Sequence, residues 1–285
     1  MTLPGGIMLD GSWHRTAWLR ALCGQDEAFL TEEACSLLPA LRVTALLARC
    51  LTRLGPLSPV SREAVQALAV GDREALLLHL RRLTLGERME CVLSCPKPEC
   101  GEKLDLDLKV SDLLLPPYSH VQPWYEKTMT ENGNAYRVRF RLPNGADLEA
   151  AASLALSDVK EAANLVLQRC VEEVNVDGGT TLSTSALPQA VVANLSQAMA
   201  DLDPQAEMVL DLTCPACGAA FSVLFDTADY LFRELSAERM ALYREVHLLA
   251  FYYHWSEAEI MAMTRRKRRL YLSLLAEALR EGSRR

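Results

Sequence analysis

Two short segments, SCPKPECG at residues 94–101 and TCPACG at residues 213–218, decide the fold of this chain. Each segment holds two cysteines followed by a glycine, a pattern typical of the knuckle that presents two sulfurs to one metal ion. A structural zinc ion takes four ligands in a tetrahedron, and each knuckle supplies only two. We therefore expect the knuckles to meet and to bind one structural zinc ion per chain. The four predicted ligands are Cys95, Cys100, Cys214 and Cys217.

A pair of redox-active or incidental cysteines is the main alternative to a zinc site. In a thioredoxin-like enzyme the CxxC motif begins a helix, whereas GAAFSVLFD at residues 218–226 continues as a strand. Cys91 could replace Cys95 as a ligand, although it lacks a partner at knuckle spacing. Four thiolates leave no coordination position for a catalytic water, so the predicted zinc is structural.

The predicted fold class is α+β, mostly helical, with short β-hairpins and a zinc-ribbon-like unit formed by the two distant knuckles. This unit would comprise residues 86–112 and 205–228, where apolar and polar residues alternate as they do in strands. It would follow an N-terminal hairpin plus helical block at 1–85, enclose an inserted hairpin and helices at 113–204, and precede a C-terminal helical region at 229–285. No repeat beyond the two knuckles is visible.

Local signals predict several turns and caps. Asp10-Gly11 and Asn144-Gly145 are dipeptides typical of tight hairpin turns. The second hairpin would turn its apolar residues toward the core and its arginines toward solvent. Those residues are Tyr136, Val138, Phe140 and Leu142 inside, and Arg137, Arg139 and Arg141 outside. Asp72 would cap the second of two short helices within residues 61–83.

Composition narrows the class of protein. The chain has 285 residues and a net charge of −7, which argues against nucleic acid as the default partner. The N-terminus shows no basic start followed by an apolar stretch, and no window approaches a membrane-spanning apolar run. We therefore expect no membrane association and a cytoplasmic location, where nine cysteines would not form a disulfide framework.

Catalytic motifs are missing from the sequence. HExxH, GxGxxG, GxxxxGK[ST] and GxSxG do not occur, and the five histidines are scattered. Adjacent carboxylates such as Asp26-Glu27 point to different faces of a helix, so they do not form a general acid/base pair. We expect neither enzymatic activity nor a small-molecule substrate.

A run of five cations opens the last predicted helix: Arg265, Arg266, Lys267, Arg268 and Arg269. Consecutive cations repel one another, and the N-terminal end of a helix is the less favourable end for positive charge. One interpretation is that the run binds an anionic partner, either nucleic acid or an acidic protein face. The alternative is a solvated helix face with leucines packed inward.

Aromatic residues concentrate before this run, in FYYHW at residues 251–255. Four bulky rings cannot all face one core, so some of them, with Trp255 as the candidate, would contact another chain. The alternative is that the rings wrap around both sides of a buried helix.

Both ends of the chain resemble a known family. LPGGIMLDGSWHRTAWLRALCGQDEAFL at residues 3–30 resembles the opening module of tail- and baseplate-assembly proteins from contractile-tailed phages and contractile injection systems. LYREVHLLAFYYHWSEAEIMAMTRRKRRLYLSLLAE at residues 242–277 resembles the closing segment of the baseplate-hub assembly family related to the T-even phages.

This resemblance implies a non-enzymatic protein that helps to build or cap a baseplate. Its partners would be other baseplate or tail proteins, and it would act either as a component of the particle or as an assembly factor. The second hypothesis is a zinc-ribbon protein that binds nucleic acid through the basic helix. A zinc-dependent or thiol-redox enzyme is the third.

Overall fold

The computed structural model describes residues 1–177, 179–237 and 239–282 and confirms an α+β fold. The described strands form one three-stranded sheet, one four-stranded sheet and two separate two-stranded hairpins, all antiparallel. Helices connect these small sheets and cover them.

The first half of the chain runs from the N-terminal hairpin to the first cysteine hairpin. Its elements are β1 (Thr2–Leu9), β2 (Ser12–Leu19), α1 (Gly24–Glu32), a 3-10 turn (Ala34–Ser36), α2 (Pro39–Cys50), β3 (Leu51–Leu54), α3 (Arg62–Ala67), α4 (Val70–Leu85), β4 (Arg88–Ser94) and β5 (Lys103–Lys109). The short helix α5 (Val110–Leu113) and an extended connector follow.

The second half ends with the second cysteine hairpin. Its elements are β6 (Tyr125–Glu131), β7 (Asn134–Phe140), α6 (Gly145–Ala151), a 3-10 turn (Leu154–Leu156), α7 (Val159–Cys170), β8 (Val171–Val176), β9 (Thr180–Thr181), a 3-10 turn (Thr184–Ala186), α8 (Gln189–Leu202), a 3-10 turn (Pro204–Ala206), β10 (Met208–Thr213) and β11 (Ala220–Phe225). The C-terminal region contains α9 (Thr227–Ala237), α10 (Arg239–Tyr253), α11 (Glu257–Met261) and α12 (Arg265–Gly282).

The two halves repeat one order of elements. Each begins with a hairpin and continues through a helix, a 3-10 turn, a second helix and a strand that pairs with the hairpin. Each then places a long helix before its cysteine hairpin. The expectation of no repeat beyond the knuckles was therefore wrong. Residues 113–204, which the sequence analysis interpreted as an insert, form most of the second half. The predicted domain boundaries stay a prediction.

A short motif recurs at the same place in both halves, at residues 20–26 and 141–147. It consists of an arginine, three residues, a glycine, one residue and an aspartate, and we call each stretch a head segment. The aspartate is fully buried in both. It pairs with the arginine of its own motif and with a second arginine, Arg49 or Arg169, at the end of the following helix.

The ion pairs of the two head segments have similar geometry. Asp26 accepts from Arg20 at 2.5 Å and from Arg49 at 3.1 Å. Asp147 accepts from Arg141 at 2.6 Å and from Arg169 at 2.9 Å. Each buried carboxylate therefore ties the start of one helix to the end of the next. Arg141 turns inward for this purpose, contrary to the predicted outward stripe.

Asn144-Gly145 begins a helix, so its predicted role as a hairpin turn was wrong. Asn144 Oδ1 accepts from the N–H of Asp147 at 3.2 Å, and Asp147 Oδ2 accepts from the N–H of Asn144 at 3.0 Å. The hairpin turn lies instead at Asn132-Gly133, where both residues have positive φ. The turn at Asp10-Gly11 has the same property, as predicted.

Asp72 does not cap a helix, contrary to prediction. It lies in the first turn of α4, whose N-cap residue is Ala69. Its buried carboxylate accepts from the backbone N–H groups of Gly5 at 2.8 Å and Gly6 at 2.7 Å. Asp72 therefore fastens β1 to α4.

Separate apolar cores fill the two halves. Buried leucines of α2 and α4 dominate the first core, and side chains of β7, α7 and α8 form the second. A smaller cluster joins α4 to the bases of both cysteine hairpins through Leu78, Met89 and Met208. The halves are therefore packed together beside the cysteine hairpins.

We expect Asp26→Asn to lower the free energy of unfolding by about 3 kcal/mol, because two arginines would lose a buried anionic partner. Burial alone raises the pKa of Asp26, but hydrogen bonds from Arg20 and Cys23 outweigh it and lower the pKa to about 2. The ionised carboxylate therefore stabilises the fold fully above about pH 3.8, the ordinary pKa of an aspartate, and this contribution is lost as the pH falls toward 2. Urea unfolding between pH 7 and pH 2 measures both effects.

The matched control is Asp105→Asn, at an exposed position of β5. This variant should change the stability by less than about 0.5 kcal/mol at pH 7. The buried ion pair is contradicted if Asp26→Asn retains the stability of the control, or if it loses stability in acid as steeply as the parent chain.

Candidate metal centre

The structure brings the four predicted cysteine ligands together at the tips of the two cysteine hairpins. Their sulfur atoms all lie within 4.8 Å of one another. The Sγ atoms of Cys95 and Cys217 are 3.7 Å apart, and those of Cys100 and Cys214 are 3.8 Å apart. Each of these close pairs joins one knuckle to the other, so the site belongs equally to both halves of the chain.

The backbone of each knuckle explains how two sulfurs reach one side. Gly101 has a φ of 57° and Gly218 a φ of 69°, a left-handed conformation that glycine adopts without steric cost. The N–H groups of Cys100 and Gly101 both donate to the carbonyl of Lys97, and the N–H of Gly218 donates to the carbonyl of Cys214. These turns close each loop directly behind its cysteines.

The sulfur positions fit a tetrahedral metal ion. With metal–sulfur bonds of about 2.3 Å, a regular tetrahedron places its sulfurs roughly 3.8 Å apart, close to the two shortest separations here. Leu104 and Phe221 pack beside the sulfurs, one from each hairpin. Cys91 lies outside the group, on β4 opposite Leu106. The four cysteines can therefore hold a metal ion, and Cys91 is not among them.

Electrostatics also favour a cation at this position. Backbone N–H groups, first that of Cys217, lower the pKa of Cys214 to about 7. A hydrogen bond from the backbone of Lys97 lowers the pKa of Cys95, but burial and the neighbouring sulfurs outweigh it and raise that pKa to about 12. Four adjacent thiols cannot all ionise unless a positive ion balances their charge, because like charges this close repel strongly.

A second group of buried polar side chains lies around Asp72 and Asp203. Asp203 accepts from the N–H of Gly71 at 2.9 Å and from the hydroxyl of Tyr118 at 2.7 Å. Burial raises the pKa of Asp72 to about 7. Asp72 accepts from two backbone N–H groups and Asp203 from one N–H and one hydroxyl, so both carboxylates hold α4, β1 and the connector together rather than forming an acid/base pair. No sequence signal distinguished them from ordinary helix caps.

The structure separates the basic run into buried and exposed residues. Arg268 is fully buried, donating to Glu27 at 2.8 Å and to Glu245 at 2.8 Å. Arg265 is also buried, whereas Arg266 and Lys267 are exposed. Arg269 is largely exposed and lies 3.6 Å from Glu245.

This separation corrects part of the predicted partner surface. Arg265 and Arg268 cannot contact a partner without leaving the core, and Glu27 and Glu245 offset the repulsion at Arg268. A partner role for Arg266, Lys267 and Arg269 stays a prediction.

The aromatic cluster is divided in the same way. Trp255 is half-buried, with its ring centroid 4.7 Å from that of Tyr253 and 4.8 Å from that of Tyr271. Phe251 and Tyr252 instead lie on the exposed face of α10. Trp255 therefore helps to join α10 to α12, and its predicted partner contact stays a prediction.

Arg268→Ala should lower the free energy of unfolding by about 3 kcal/mol, because Glu27 and Glu245 would be left without their buried cation. The matched control, Arg266→Ala, removes an exposed cation two positions away and should change stability by less than about 0.5 kcal/mol. Urea unfolding of both variants measures the difference. Equal stability of the two variants would contradict a structural role for Arg268.

Among the described residues, no helix combines the length and the apolar character that crossing a bilayer requires.

Comparison with known proteins identifies the family of this chain. Residues 44–232 match the family described as T4 bacteriophage base plate protein. This match runs from α2 to α9 and lies entirely between the two terminal stretches, 3–30 and 242–277, that carried the resemblance in the sequence. No curated protein and no solved structure shows a significant match. Because the family covers well over half of its length, the chain belongs to the T4 bacteriophage base plate protein family.

Proposed function

We propose that the chain is a non-enzymatic structural or assembly subunit of the baseplate of a contractile tail or injection machine, acting through protein–protein contacts and stabilised by one structural zinc ion. The family match over residues 44–232 is the observation that carries this proposal. The meeting of the two distant knuckles supports the part of the proposal that concerns zinc.

Zinc is the ion that best suits the four-sulfur group. Four cysteine sulfurs in a tetrahedral arrangement are typical of structural zinc, which prefers four-coordinate sites with thiolate ligands. Such an ion would fix the ends of the loop between Cys100 and Cys214, and its binding free energy would offset the entropy cost of closing that loop on folding. Its four protein ligands would leave no position for water, which supports a structural rather than a catalytic ion.

Protein contacts are favoured over nucleic-acid contacts. A nucleic-acid partner would be expected to meet a distributed basic surface. The net charge here is −7, and two of the five cations in the basic run are buried. The exposed face of α10, with Phe251 and Tyr252, has the apolar and aromatic character found at protein interfaces.

The first experiment measures zinc in the purified chain. We expect one zinc ion per chain, lost when Cys95 and Cys214 are both replaced by serine, because that variant keeps only one sulfur in each knuckle. The melting temperature should fall with the metal, since the ion links the two halves. Chelation of zinc from the parent chain should produce the same fall.

Cys91→Ser is the matched control for this experiment. Its zinc content should equal that of the parent chain, because Cys91 lies outside the sulfur group. The shared zinc site would be contradicted if Cys91→Ser lost zinc, or if the double serine variant had the same melting temperature as the parent chain.

A separate experiment tests the baseplate role. The full chain is mixed with the individually purified baseplate subunits of its own particle, and binding is measured by size-exclusion chromatography and calorimetry. We expect at least one subunit to bind. The double reversal Arg266→Glu and Lys267→Glu should weaken that binding, because both cations are exposed.

The matched control reverses Lys103 and Lys109, two exposed cations at the ends of β5. This variant should bind as the parent chain does. If the parent chain binds no baseplate subunit, the proposed function is wrong. If only the reversals at positions 266 and 267 have no effect, the basic run is a solvated face.

A further inference from the structure

Both head segments are seated in clefts formed by other helices of this chain. The head segment at residues 141–147 lies in a cleft between α2, α3 and the start of α4, which we call the first cleft. The head segment at residues 20–26 lies in a cleft formed by α10, α11 and the start of α12, which we call the third cleft. The second cleft, between these two along the chain, is described below. One mode of docking is therefore used twice within the fold.

In the first cleft the docking is made by backbone groups. Asn144 forms an antiparallel bridge with Ala69. The N–H of Gly145 donates to the carbonyl of Leu68 at 3.2 Å, and the N–H of Val70 donates to the carbonyl of Pro143 at 3.1 Å. The head segment thus adds a short strand to the chain that leads into α4.

The third cleft holds its head segment in the same way. Cys23 forms an antiparallel bridge with Thr264, and the N–H of Gly24 donates to the carbonyl of Met263 at 3.2 Å. A capping serine, Ser61 or Ser256, precedes the bridging residue by eight positions in both clefts.

The incoming helix must carry a very small residue after its cap. A Cβ on Gly145 would lie 2.3 Å from Nη1 of Arg73, and a Cβ on Gly24 would lie 3.0 Å from Cα of Met261. Contacts this short are repulsive, so a larger residue would require the helix start, the Arg73 side chain or Met261 to shift.

The second half contains a backbone segment with the same conformation as the segment that binds the head segment in the first cleft. Leu68 and Ala69 have φ, ψ angles of −64°, 137° and −57°, 156°. Leu187 and Pro188, which precede α8, have angles of −68°, 137° and −57°, 145°. A second cleft therefore lies between α7, the 3-10 turn Thr184–Ala186 and the start of α8.

No head segment fills this second cleft. It is an open space of about 360 Å³, lined on one side by α7 and on the other by the backbone that leads into α8. Its principal lining residues are Lys160, Asn164, Gln168, Thr184, Leu187 and Gln189. Across residues 1–177, 179–237 and 239–282, the carbonyl of Leu187 and the N–H of Gln189 have no hydrogen-bond partner. These are the groups that correspond to the docking pair in the first cleft.

No other segment in the part of the chain that the structure describes occupies the second cleft. Helix α9, which follows the second cysteine hairpin, packs on α1 and α4 instead. Both head segments are already seated, so a second copy of the chain would have to release one of them. An occupant must therefore come from another protein.

We propose that the second cleft binds the start of a helix from another baseplate subunit, in which the cap residue is followed by glycine or alanine. Alanine is included because Val192 stands where Arg73 stands in the first cleft and leaves more room. The helix start would bridge Pro188 as Asn144 bridges Ala69. This inference rests on the proposed baseplate function, because it takes the partner from the same particle.

Asn164→Trp tests the proposal, because a large ring on α7 would occupy the second cleft. Asn164 makes its side-chain hydrogen bond only within its own helix, to Glu161, so the variant should keep the melting temperature and zinc content of the parent chain. Affinity for the baseplate subunit that carries the matching helix start should fall by on the order of tenfold or more. Asn194→Trp, on an exposed position of α8, is the matched control and should bind normally.

Photo-crosslinking locates the contact. A benzophenone amino acid at position 168 should crosslink to the predicted helix start of that subunit, and one at position 194 should not. Parent-level binding by Asn164→Trp, or crosslinks to a different segment or to a second copy of this chain, would overturn the cleft assignment while the baseplate function stands. If no subunit binds the parent chain, both proposals fall together.

Discussion

The meeting of two knuckles more than a hundred positions apart is the constraint on which the arrangement of the two halves depends. The paired sulfurs are separated by 114 and 122 positions along the chain. The hairpins that carry them are two-stranded and have only partly buried inner faces. Such a thin layer buries little apolar area, and two-stranded hairpins are marginal in water. A metal ion at their tips would supply the order that the small apolar core cannot.

Buried ion pairs set the local geometry on which the helices depend. In each half an aspartate at the start of a helix holds two arginines, and in the C-terminal region Arg268 holds two glutamates. Removing charges from water costs about as much as their attraction returns, so such pairs chiefly specify which segments meet. Buried ion pairing also accounts for which residues of the basic run are buried and which are exposed. Positions 265 and 268 face the neighbouring helices, whereas 266 and 267 face solvent, as helical periodicity requires.

The sequence predicts those features whose chemistry is local. Two cysteines and a glycine at knuckle spacing define half of a metal site, and alternating residues define the strands beside it, so the sulfur group and the α+β class were predictable. Asn144-Gly145 was misinterpreted because asparagine followed by glycine serves both hairpin turns and helix starts. The burial of Arg268 could not be predicted, since its partner Glu27 lies 241 positions away. The repeat was missed because the halves share few residues beyond the head segments and the knuckles.

The division of the sulfur group between two similar halves has a consequence for the ancestry of the chain. A single half holds only two of the four knuckle cysteines and so cannot complete this four-sulfur site alone. If the halves arose by gene duplication, the ancestral polypeptide could have bound its metal only as a homodimer, with one knuckle from each subunit. Fusion would then have made the shared ion intramolecular. Each half could then have diverged. The first cleft could have kept a head segment of the same chain as its occupant, while the second cleft stayed open.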